Sequence, residues 1–453
     1  MRSFLQAFVR NGLSLVGTAI ATAMAALFVA LALLDLAGYL TNPYLGLLLF
    51  VAIPTVFVAG LLLIPLGLWR ERRRRARTPE AATGEWPVFD LRIARQRAIA
   101  VAVLTLTVVN LVIVSMAAYG GVHYMETREF CGQVCHETME PQYVAHQTGP
   151  HSRVACVSCH VGSGAGAVAR SKFKGLRQLV LVATDRAPRP VAPPLQVMRP
   201  AVETCEQCHW PEKFHGDRQK VVREYGDDQA STETGTTLTL HLGGGSAVLG
   251  IGTGIHWHMN LDNVVEFVAT DSTRQSIPYV RLTNREGRVK EYVAEGADRT
   301  TLAAQPMHRM DCVDCHNRPA HAFSPSPARA VNEAMAQGRV PRDLPFARRE
   351  VLAAVSDGYP SRDSARAGIA RRLEGIYRAQ GISADRTARL VAGAQDVYAR
   401  NVFPAMRVSW GTYPNNIGHM DAPGCFRCHD DSHKAGDGSV LTQDCETCHT
   451  APQ

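Results

Sequence analysis

All twelve cysteines of this 453-residue chain lie beyond residue 130 and fall into six closely spaced pairs, each followed at once by a histidine. Five pairs have two intervening residues, and the first pair has three. The groups are Cys131/Cys135/His136, Cys156/Cys159/His160, Cys205/Cys208/His209, Cys312/Cys315/His316, Cys425/Cys428/His429 and Cys445/Cys448/His449. Two thiols and an imidazole on one helical turn can form two thioethers to a porphyrin and one bond to its iron. The pattern predicts six haem c groups, with these histidines as proximal ligands.

Two other uses of paired cysteines fit less well. Zinc ribbons use C-x-x-C pairs, and thioredoxin-like redox sites use one such pair. Neither requires a histidine after the second cysteine, whereas all six pairs here have one. Zinc binding and disulfide formation are therefore disfavoured.

The remaining histidines supply candidates for the sixth iron ligand. The chain has seventeen histidines, so eleven lie outside the motifs. The distal candidates are His151, His308 and His419, which shortly precede a motif, then His215, His433 and one of His256 and His258, and finally Met139, three residues after the first proximal histidine. Iron with two strong axial ligands has no open position and passes electrons. The sequence favours electron conduction, and no catalytic residue is assigned.

Two features near residue 250 bear on these candidates. His256 and His258 alternate in Gly-Ile-His-Trp-His-Met, so they would face the same side of a strand, and only one is expected to reach an iron. The glycine-rich stretch 243–254 lacks the strand and helix that frame a dinucleotide-binding loop. We predict that it lies on a haem face.

The elements that position the motifs begin with three long apolar runs, roughly at residues 13–40, 44–69 and 98–120. Each has about the 20 residues that a helix needs to cross a hydrocarbon core of about 30 Å. Tyrosine and tryptophan side chains lie near the ends of the runs, as at membrane interfaces. We predict three transmembrane helices. Asp35, near the outer end of the first run, is interpreted as hydrated.

The positive charge is concentrated in the same region. Eleven arginines and five acidic residues in the first hundred residues account for +6 of the formal net charge of +7. Arg2 and Arg10 precede the first run, and an arginine cluster at 70–77 follows the second. Because Arg-rich loops stay in the cytoplasm, we predict a bacterial inner-membrane protein with a cytoplasmic N-terminus and a periplasmic haem domain. Topology explains the arginines, so no nucleic-acid partner is expected.

Motif spacing and composition predict seven segments and the fold class. They are a transmembrane hairpin at 1–70, a cytoplasmic Arg-rich loop at 71–97, a third transmembrane helix at 98–120, haems 1 and 2 at 121–200, haems 3 and 4 with a β insertion at 201–323, a helical segment at 324–404 and a C-terminal dihaem segment at 405–453. Alternation predicts strands near 237–242, 264–269, 279–283 and 288–293. Helical spacing predicts helices over 327–401. The fold class is a membrane α anchor of three helices plus a mostly α and irregular multihaem cytochrome c domain.

The order of features near the third run resembles the NapC/NirT family of membrane-anchored multihaem cytochromes c. The features are the run that ends at Tyr119, the motifs at Cys131 and Cys156 with Met139 and His151 between them, and the basic Lys172-Phe-Lys174-Gly. Residues 410–430 are similar to larger relatives with extra haems from metal-respiring bacteria. The chain departs from the family pattern in two additional apolar runs, in the spacing of its first motif, and in a methionine three rather than two residues beyond His136.

The resemblance implies a quinol dehydrogenase that passes electrons from membrane quinol to periplasmic or outer-membrane redox partners. Lys172 and Lys174 are the implied contacts to quinol, and contact with lipid headgroups is the alternative. Two other functions stay open: a terminal reductase of a small oxyanion, or the haem subunit of a larger respiratory complex whose membrane subunit docks on the N-terminal hairpin. Propionates on six haems add a charge on the order of −12, so a basic soluble partner is expected.

Overall fold

The computed structural model describes residues 11–37, 39, 43–76, 92–134, 136–162, 164–192, 199–210, 216–243, 253–260 and 262–450. The chain divides into two compact units, residues 1–134 and 135–453. Each unit is described by itself. The central part of the glycine-rich stretch lies outside the described residues.

The first unit consists of long apolar helices. They are α1 (Gly12–Leu36), α2 (Pro43–Leu47), a π-helical segment (Leu48–Ala52) that runs into α3 (Ile53–Ala76), and α4 (Ala94–Met125). Three helical stretches in the described residues are long and apolar enough to cross a membrane: Gly12–Leu36, Leu45–Glu71 and Ala94–Met125. The last is longer at both ends than the predicted run, and helices extend into both ends of the segment predicted as the Arg-rich loop. Three potential spans are thus present.

Helices α1 and α3 pack closely because glycines lie at their contact. A Cβ atom on Gly17 would lie 2.7 Å from the carbonyl oxygen of Gly60, and the hydroxyl of buried Ser14 donates to the carbonyl of Ile64 at 3.0 Å. Lipid tails are as apolar as the side chains, so burying apolar side chains between helices gains no hydrophobic free energy. Helices in a membrane therefore associate through close backbone packing and interhelical polar contacts. The glycine contact and the Ser14 hydrogen bond therefore hold the two helices together as a hairpin.

The second unit carries helices in and around the motif regions and a separate group of four helices that pack together. The first set is α5 (His136–Thr148), α6 (Cys156–His160), α7 (Ala165–Ala183), α8 (Arg299–Ala303) and α9 (Cys312–Cys315). The second group is α10 (Pro327–Ala336), α11 (Ala347–Ser356), α12 (Arg362–Ala379) and α13 (Ala384–Asn401). These four helices confirm the helical prediction for 327–401. Their apolar faces enclose a core that includes fully buried Leu373, Tyr377 and Leu390.

Two antiparallel sheets lie between and beyond the motifs. One is formed by β1 (Asp217–Tyr225), β2 (Glu233–His241) and β8 (His449–Thr450) in that order. The other contains β3 (Val264–Val268), β4 (Tyr279–Thr283), β5 (Val289–Val293), β6 (His308–Arg309) and β7 (Lys434–Ala435), in the order β6-β3-β4-β5-β7. The short strands β6 and β8 carry motif-adjacent residues, so the sheets fix parts of the chain that are distant in sequence.

The strand predictions were right for β2 to β5 and wrong in one place. The turn at 284–287 joins β4 to β5, with the amide of Gly287 donating to the carbonyl of Asn284 at 2.9 Å. His256 and His258, however, lie on a 3₁₀ helix, Ile255–Met259, and not on a strand. Because a 3₁₀ helix turns about 120° per residue, these two side chains point in different directions.

We predict that Gly17→Ala lowers the stability of the first unit by about 1–3 kcal/mol, because the added methyl overlaps the backbone of Gly60. Thermal loss of helical circular dichroism from the holoprotein in mild detergent measures the change. Gly12→Ala is the matched control, since a Cβ there meets nothing within 4 Å. Equal melting temperatures for the two variants would contradict the close helix contact.

Candidate functional site

The described motifs are short helical turns that begin at or beside the first cysteine. The amides of His209, His316 and His429 donate to the carbonyls of Cys205, Cys312 and Cys425 at 2.8, 2.7 and 3.0 Å. Each bond spans four residues and closes one turn with the histidine at its end. The eleven described cysteines carry free thiols. Cys135 and the side chain of His136 lie outside the described residues.

The third motif has the predicted turn but leaves one of its two thiols exposed. Its 3₁₀ turn, Cys205–Gln207, is capped by Cys208, whose amide donates to the carbonyl of Cys205 at 3.1 Å. Residues three apart lie on the same side of a 3₁₀ helix, so the two cysteines share a face. Cys205 is half-buried, whereas Cys208 is exposed. Attachment of haem at Cys208 therefore stays a prediction: the fold places this thiol on the expected face but does not enclose it.

Five motif histidines each face one histidine from outside the motifs. The ring centres are 6.2 Å apart for His160 and His321, 6.1 Å for His209 and His151, 6.3 Å for His316 and His256, 5.8 Å for His429 and His258, and 6.1 Å for His449 and His419. The interplanar angles range from 2° to 89°, so the rings are not stacked in one common way. Their common property is the separation.

That separation fits an iron held between two imidazoles. If each bonded nitrogen lies about 2 Å from the metal and about 1.2 Å from its ring centre, the centres are about 6.4 Å apart. Among the described residues there is no group of three or more histidine, cysteine or acidic side chains that could hold a metal ion alone. A porphyrin supplies four ligands in the plane, so two opposed imidazoles complete its iron. The donor set therefore fits haem better than zinc.

Hydrogen bonds orient several of these rings for binding through Nε2. The Nδ1 atoms of His151, His258 and His321 donate to the carbonyls of Pro319, Ile255 and Gln142 at 2.9, 2.8 and 2.9 Å. A carbonyl only accepts, so Nδ1 carries the proton and Nε2 is left with its lone pair. Metal-bound histidines usually make this kind of outer hydrogen bond.

Burial keeps the facing histidines neutral, as a metal ligand must be. Desolvation lowers the pKa of His321 to about 4, although the hydrogen bond to Gln142 opposes the shift. Desolvation also lowers the pKa values of His160, His256 and His316. At neutral pH these imidazoles carry lone pairs.

The cysteines of each described motif lie close in space to those of the next motif along the chain. Burial raises the pKa of the Cys159 thiol, and Cys205 adds to the rise. Burial and Asp311 raise the pKa of Cys312 to about 12, again with a contribution from Cys205. Since such charge interactions act over short distances, the second, third and fourth motifs are neighbours.

The same relation continues to the end of the chain. Burial raises the pKa of the Cys428 thiol to about 12, Arg427 opposes the rise, and Cys315 adds to it. Burial and then Cys425 raise the pKa of Cys448. The fourth, fifth and sixth motifs are therefore also neighbours, so each described motif lies close to the next one along the chain.

The predicted distal candidates divide into two groups. His151, His256, His258 and His419 each face a motif histidine. His308 does not: its Nε2 lies 2.7 Å from Nη1 of Arg274 and 3.3 Å from the carboxylate of Asp314. The structure thus places four of the predicted histidines opposite motif histidines, whereas His308 contacts the ion pair of Arg274 and Asp314.

The other candidates have different positions. His433 is buried with both ring nitrogens occupied, Nδ1 by the Asp430 carboxylate and Nε2 by the carbonyl of Ile277, each at 2.7 Å. His215 lies outside the described residues. Met139 lies on α5, one helical turn after His136. His433 therefore has no nitrogen available for a metal.

Sequence reasoning missed His321, which faces His160. His321 was not among the candidates, although it follows its nearest motif by five residues, much as the candidate His433 follows its own by four. His146 lies 6.0 Å from His321 by ring centres, but its Nε2 donates to the carbonyl of Val154 at 3.1 Å. Of these two neighbours of His321, only His160 belongs to a motif. We therefore pair His321 with His160.

A buried polar cluster joins the fourth and fifth motifs. Asp314, only 2% exposed, accepts from Arg274 Nη1 at 2.5 Å and from the backbone amide of Asp311 at 2.8 Å. Burial raises the pKa of Asp314, but the hydrogen bond from His308 and the other donors hold it below its usual value. Arg427, inside the fifth motif, donates to the carbonyl of Asp314 at 2.7 Å. This cluster fixes the spacing of the two motifs.

The two lysine candidates lie on different faces of α7. Lys172, Leu176 and Leu179 follow the i, i+4, i+7 spacing of one helix face, and the two leucines are exposed. Lys174 shares the same spacing with Arg170 and Arg177 on a second, basic face. The helix is therefore amphipathic, and only Lys172 lies among exposed apolar side chains.

Comparison with known proteins gives two matches. The family model described as the NapC/NirT cytochrome c family, N-terminal region, matches residues 94–189, a range that includes α4, the first two motifs and α7. Over 447 residues the chain is 37% identical to the cytochrome c-type protein ImcH of Geobacter sulfurreducens, which covers 97% of this chain and 87% of that relative. No solved structure matches the chain.

Cys-x-x-Cys-His turns opposed by histidines define a c-type cytochrome, which binds haem covalently and transfers electrons. Family members are anchored to a membrane, and this chain has apolar helices suited to that role. The chain belongs to the NapC/NirT cytochrome c family.

We predict that Asp314→Ala destabilises the second unit by about 3–5 kcal/mol, because it leaves Arg274 buried without its carboxylate. Thermal unfolding of the holoprotein, followed by circular dichroism, measures the loss. Asp357→Ala is the control, since the Asp357 pair with Arg372 is exposed and contributes little. If both substitutions shift the midpoint equally, the buried cluster does not hold the motifs together.

Proposed function

We propose that this chain is an inner-membrane cytochrome that binds six haem c groups, oxidises membrane quinol and passes electrons to a periplasmic or outer-membrane redox partner. The carrying observation is the set of five histidine pairs with ring centres 5.8–6.3 Å apart. Haem iron between two imidazoles exchanges single electrons and offers no free position to a substrate. The pairs therefore support conduction.

The proposed ligands follow from these pairs. Each of the six cysteine pairs attaches one haem, and the histidine after it is the proximal ligand, including His136 in the first motif. The distal ligands are His321 for the site of His160, His151 for His209, His256 for His316, His258 for His429 and His419 for His449. For the first site Met139 stays a candidate.

The ligands interleave along the chain, which supports a single conducting row. His151 lies five residues before the second motif but faces the histidine of the third. His256 and His258 lie two residues apart and face the fourth and fifth. A segment that serves two sites fixes their separation. We infer that the electron path follows motif order and leaves near the last motif, whose Cys445 is exposed.

The quinol end of the path is proposed to lie beside α7. Phe173 on this helix is 75% exposed, and Leu176, Leu179 and Val180 are exposed as well. An amphipathic helix with basic and apolar faces suits the membrane interface, where a quinol headgroup is also found. Lys172 lies among the apolar side chains, so its ammonium group is the better candidate to hydrogen-bond a quinol oxygen. Lys174 suits lipid phosphates.

The proposed orientation rests on the arginine distribution. Arg-rich ends of α3 and the segment before α4 would be cytoplasmic, which leaves the motifs on the periplasmic side. A membrane subunit docked on the hairpin of α1 and α3 stays an alternative arrangement. A terminal reductase would require an open iron position, and five of the six proposed sites already have an opposing histidine.

We predict that His321→Ala converts one iron per chain from low spin to high spin, because the site of His160 loses its sixth ligand. Electron paramagnetic resonance of the oxidised holoprotein measures the high-spin signal. His308→Gln should leave every iron low spin, since His308 contacts Arg274 and Asp314 instead. The opposite pattern in the two variants would refute the ligand assignment.

We predict that a menaquinol analogue reduces the haems of the intact protein in membranes, and that Lys172→Gln slows this reduction at least tenfold. Removal of one hydrogen bond to a bound quinol costs about 1.5–3 kcal/mol when the donor is charged, which corresponds to that factor. Stopped-flow absorbance at the reduced haem bands gives the rate.

Lys174→Gln is the matched control, because it removes the same charge from the basic face of the same helix. Its rate should stay within about twofold of the wild type. Equal slowing in both variants would indicate lipid binding rather than quinol contact, and no reduction of the intact protein would refute quinol oxidation.

A further inference from the structure

Arg318 lies between two proposed iron ligands in sequence, two residues after His316 and three before His321. Its guanidinium carbon lies 4.4 Å from the centre of the Tyr413 ring. The Nε atom is buried and has no hydrogen-bond partner. Within the described ranges, Arg318 makes no ion pair with a carboxylate. The guanidinium is therefore partly buried here, with an aromatic face beside it and its Nε–H unsatisfied.

Among the described residues that line the cleft beside Arg318, none has an acidic side chain. With Tyr413 it lines a cleft of about 240 Å³. The other lining residues are Pro190, Val191, Ala192, Thr273, Asn317, Thr412 and Pro414. The hydroxyl of Tyr413 donates to the carbonyl of Val191 at 2.9 Å, so it is already engaged. The described lining thus offers dipoles but no negative charge.

Such an arrangement is costly in a finished protein. Partial removal of an ion from water without a counter-charge is unfavourable, and a cation–π contact offsets only part of that cost. An arginine guanidinium keeps its charge at neutral pH. An anion from outside the polypeptide would satisfy both the charge and the free Nε–H.

The neighbouring ligand indicates which site is involved. The Tyr413 ring on which Arg318 lies also packs on Phe323, with ring centres 5.0 Å apart, and Phe323 is two residues after His321. Arg318 is thus connected by packing to the segment that carries His321, whose ring faces His160. Haem carries two propionates, and a guanidinium binds a carboxylate through two parallel hydrogen bonds.

We propose that Arg318 binds a propionate of the haem attached at Cys156 and Cys159. This inference rests on the proposed function, because it takes His160 and His321 as the ligands of that haem. The bound arginine also places a positive charge near the iron, which stabilises the reduced form. Loss of the charge lowers the midpoint potential of this haem.

The test isolates this haem before Arg318 is changed. His321→Met replaces a distal imidazole by a thioether, which raises the potential of one haem away from the bis-histidine group. In that background, Arg318→Gln should lower the equilibrium constant for one-electron reduction of this haem about tenfold. This corresponds to a fall of about 59 mV in its midpoint potential. Optical redox titration of the holoprotein in detergent gives the midpoints.

Two variants control for charge and for geometry. Arg386→Gln removes an exposed arginine of α13 and should leave the separated component unchanged. Arg318→Lys keeps the charge without the planar guanidinium, so it should restore more than half of the shift. An unchanged component in Arg318→Gln would overturn the proposal. If His321→Met separates no component, the ligand assignment fails instead.

A free anion is the other source of a negative charge. A propionate is covalently part of the haem, so the effect of Arg318→Gln should be the same in chloride, acetate and phosphate buffers. Dependence on the buffer anion would overturn the propionate assignment. Redox-difference infrared spectra of protein with ¹³C-labelled propionates give a second measurement, in which the iron ligands are not changed. A labelled carboxylate band should shift when Arg318→Gln is the only substitution.

Discussion

The fold depends on one geometric constraint, which is the gap of about 6 Å between paired imidazole rings. One ring of each pair is placed by a local turn that begins at a cysteine, so a few residues determine its position. The other ring comes from elsewhere in the chain, and the largest separation in sequence is that between His258 and His429. The sheets, short helices and the Asp314 cluster act together to hold these remote rings at a distance that leaves room for a metal.

This constraint explains how the second unit is built. Helices α10 to α13 have a conventional apolar core and none of the motifs, whereas the motif regions have short elements and small clusters such as that around Phe267. Polar contacts take over where apolar packing is sparse. Arg427 reaches from the fifth motif to the backbone of the fourth, and buried Asn416 donates to the carbonyl of Asp314. Hydrogen bonds therefore set distances that packing sets elsewhere.

Sequence alone predicts what is local and misses what is remote. The motif turns, the long apolar helices and the four helices beyond residue 326 follow from short-range spacing. Strand β1 was missed because its exposed sequence, with three basic and two acidic residues, lacks the alternation of a half-buried strand. His308 precedes a motif yet turns to Arg274, and His321 follows one yet faces another motif. Closeness in sequence does not fix which ring faces which, because that depends on tertiary packing.

Under the proposed ligand assignment, the interleaved histidines also order the assembly of the protein in time. A ribosome makes His151 before His209, so the third site can close as soon as its own cysteines have been joined to haem. The second site has to wait for His321, which is made much later. During that interval its iron would carry one protein ligand and a vacant side open to water or to a wrong histidine. Biogenesis of such a chain thus needs either rapid synthesis of the later segment or a ligand exchange that corrects early mispairing.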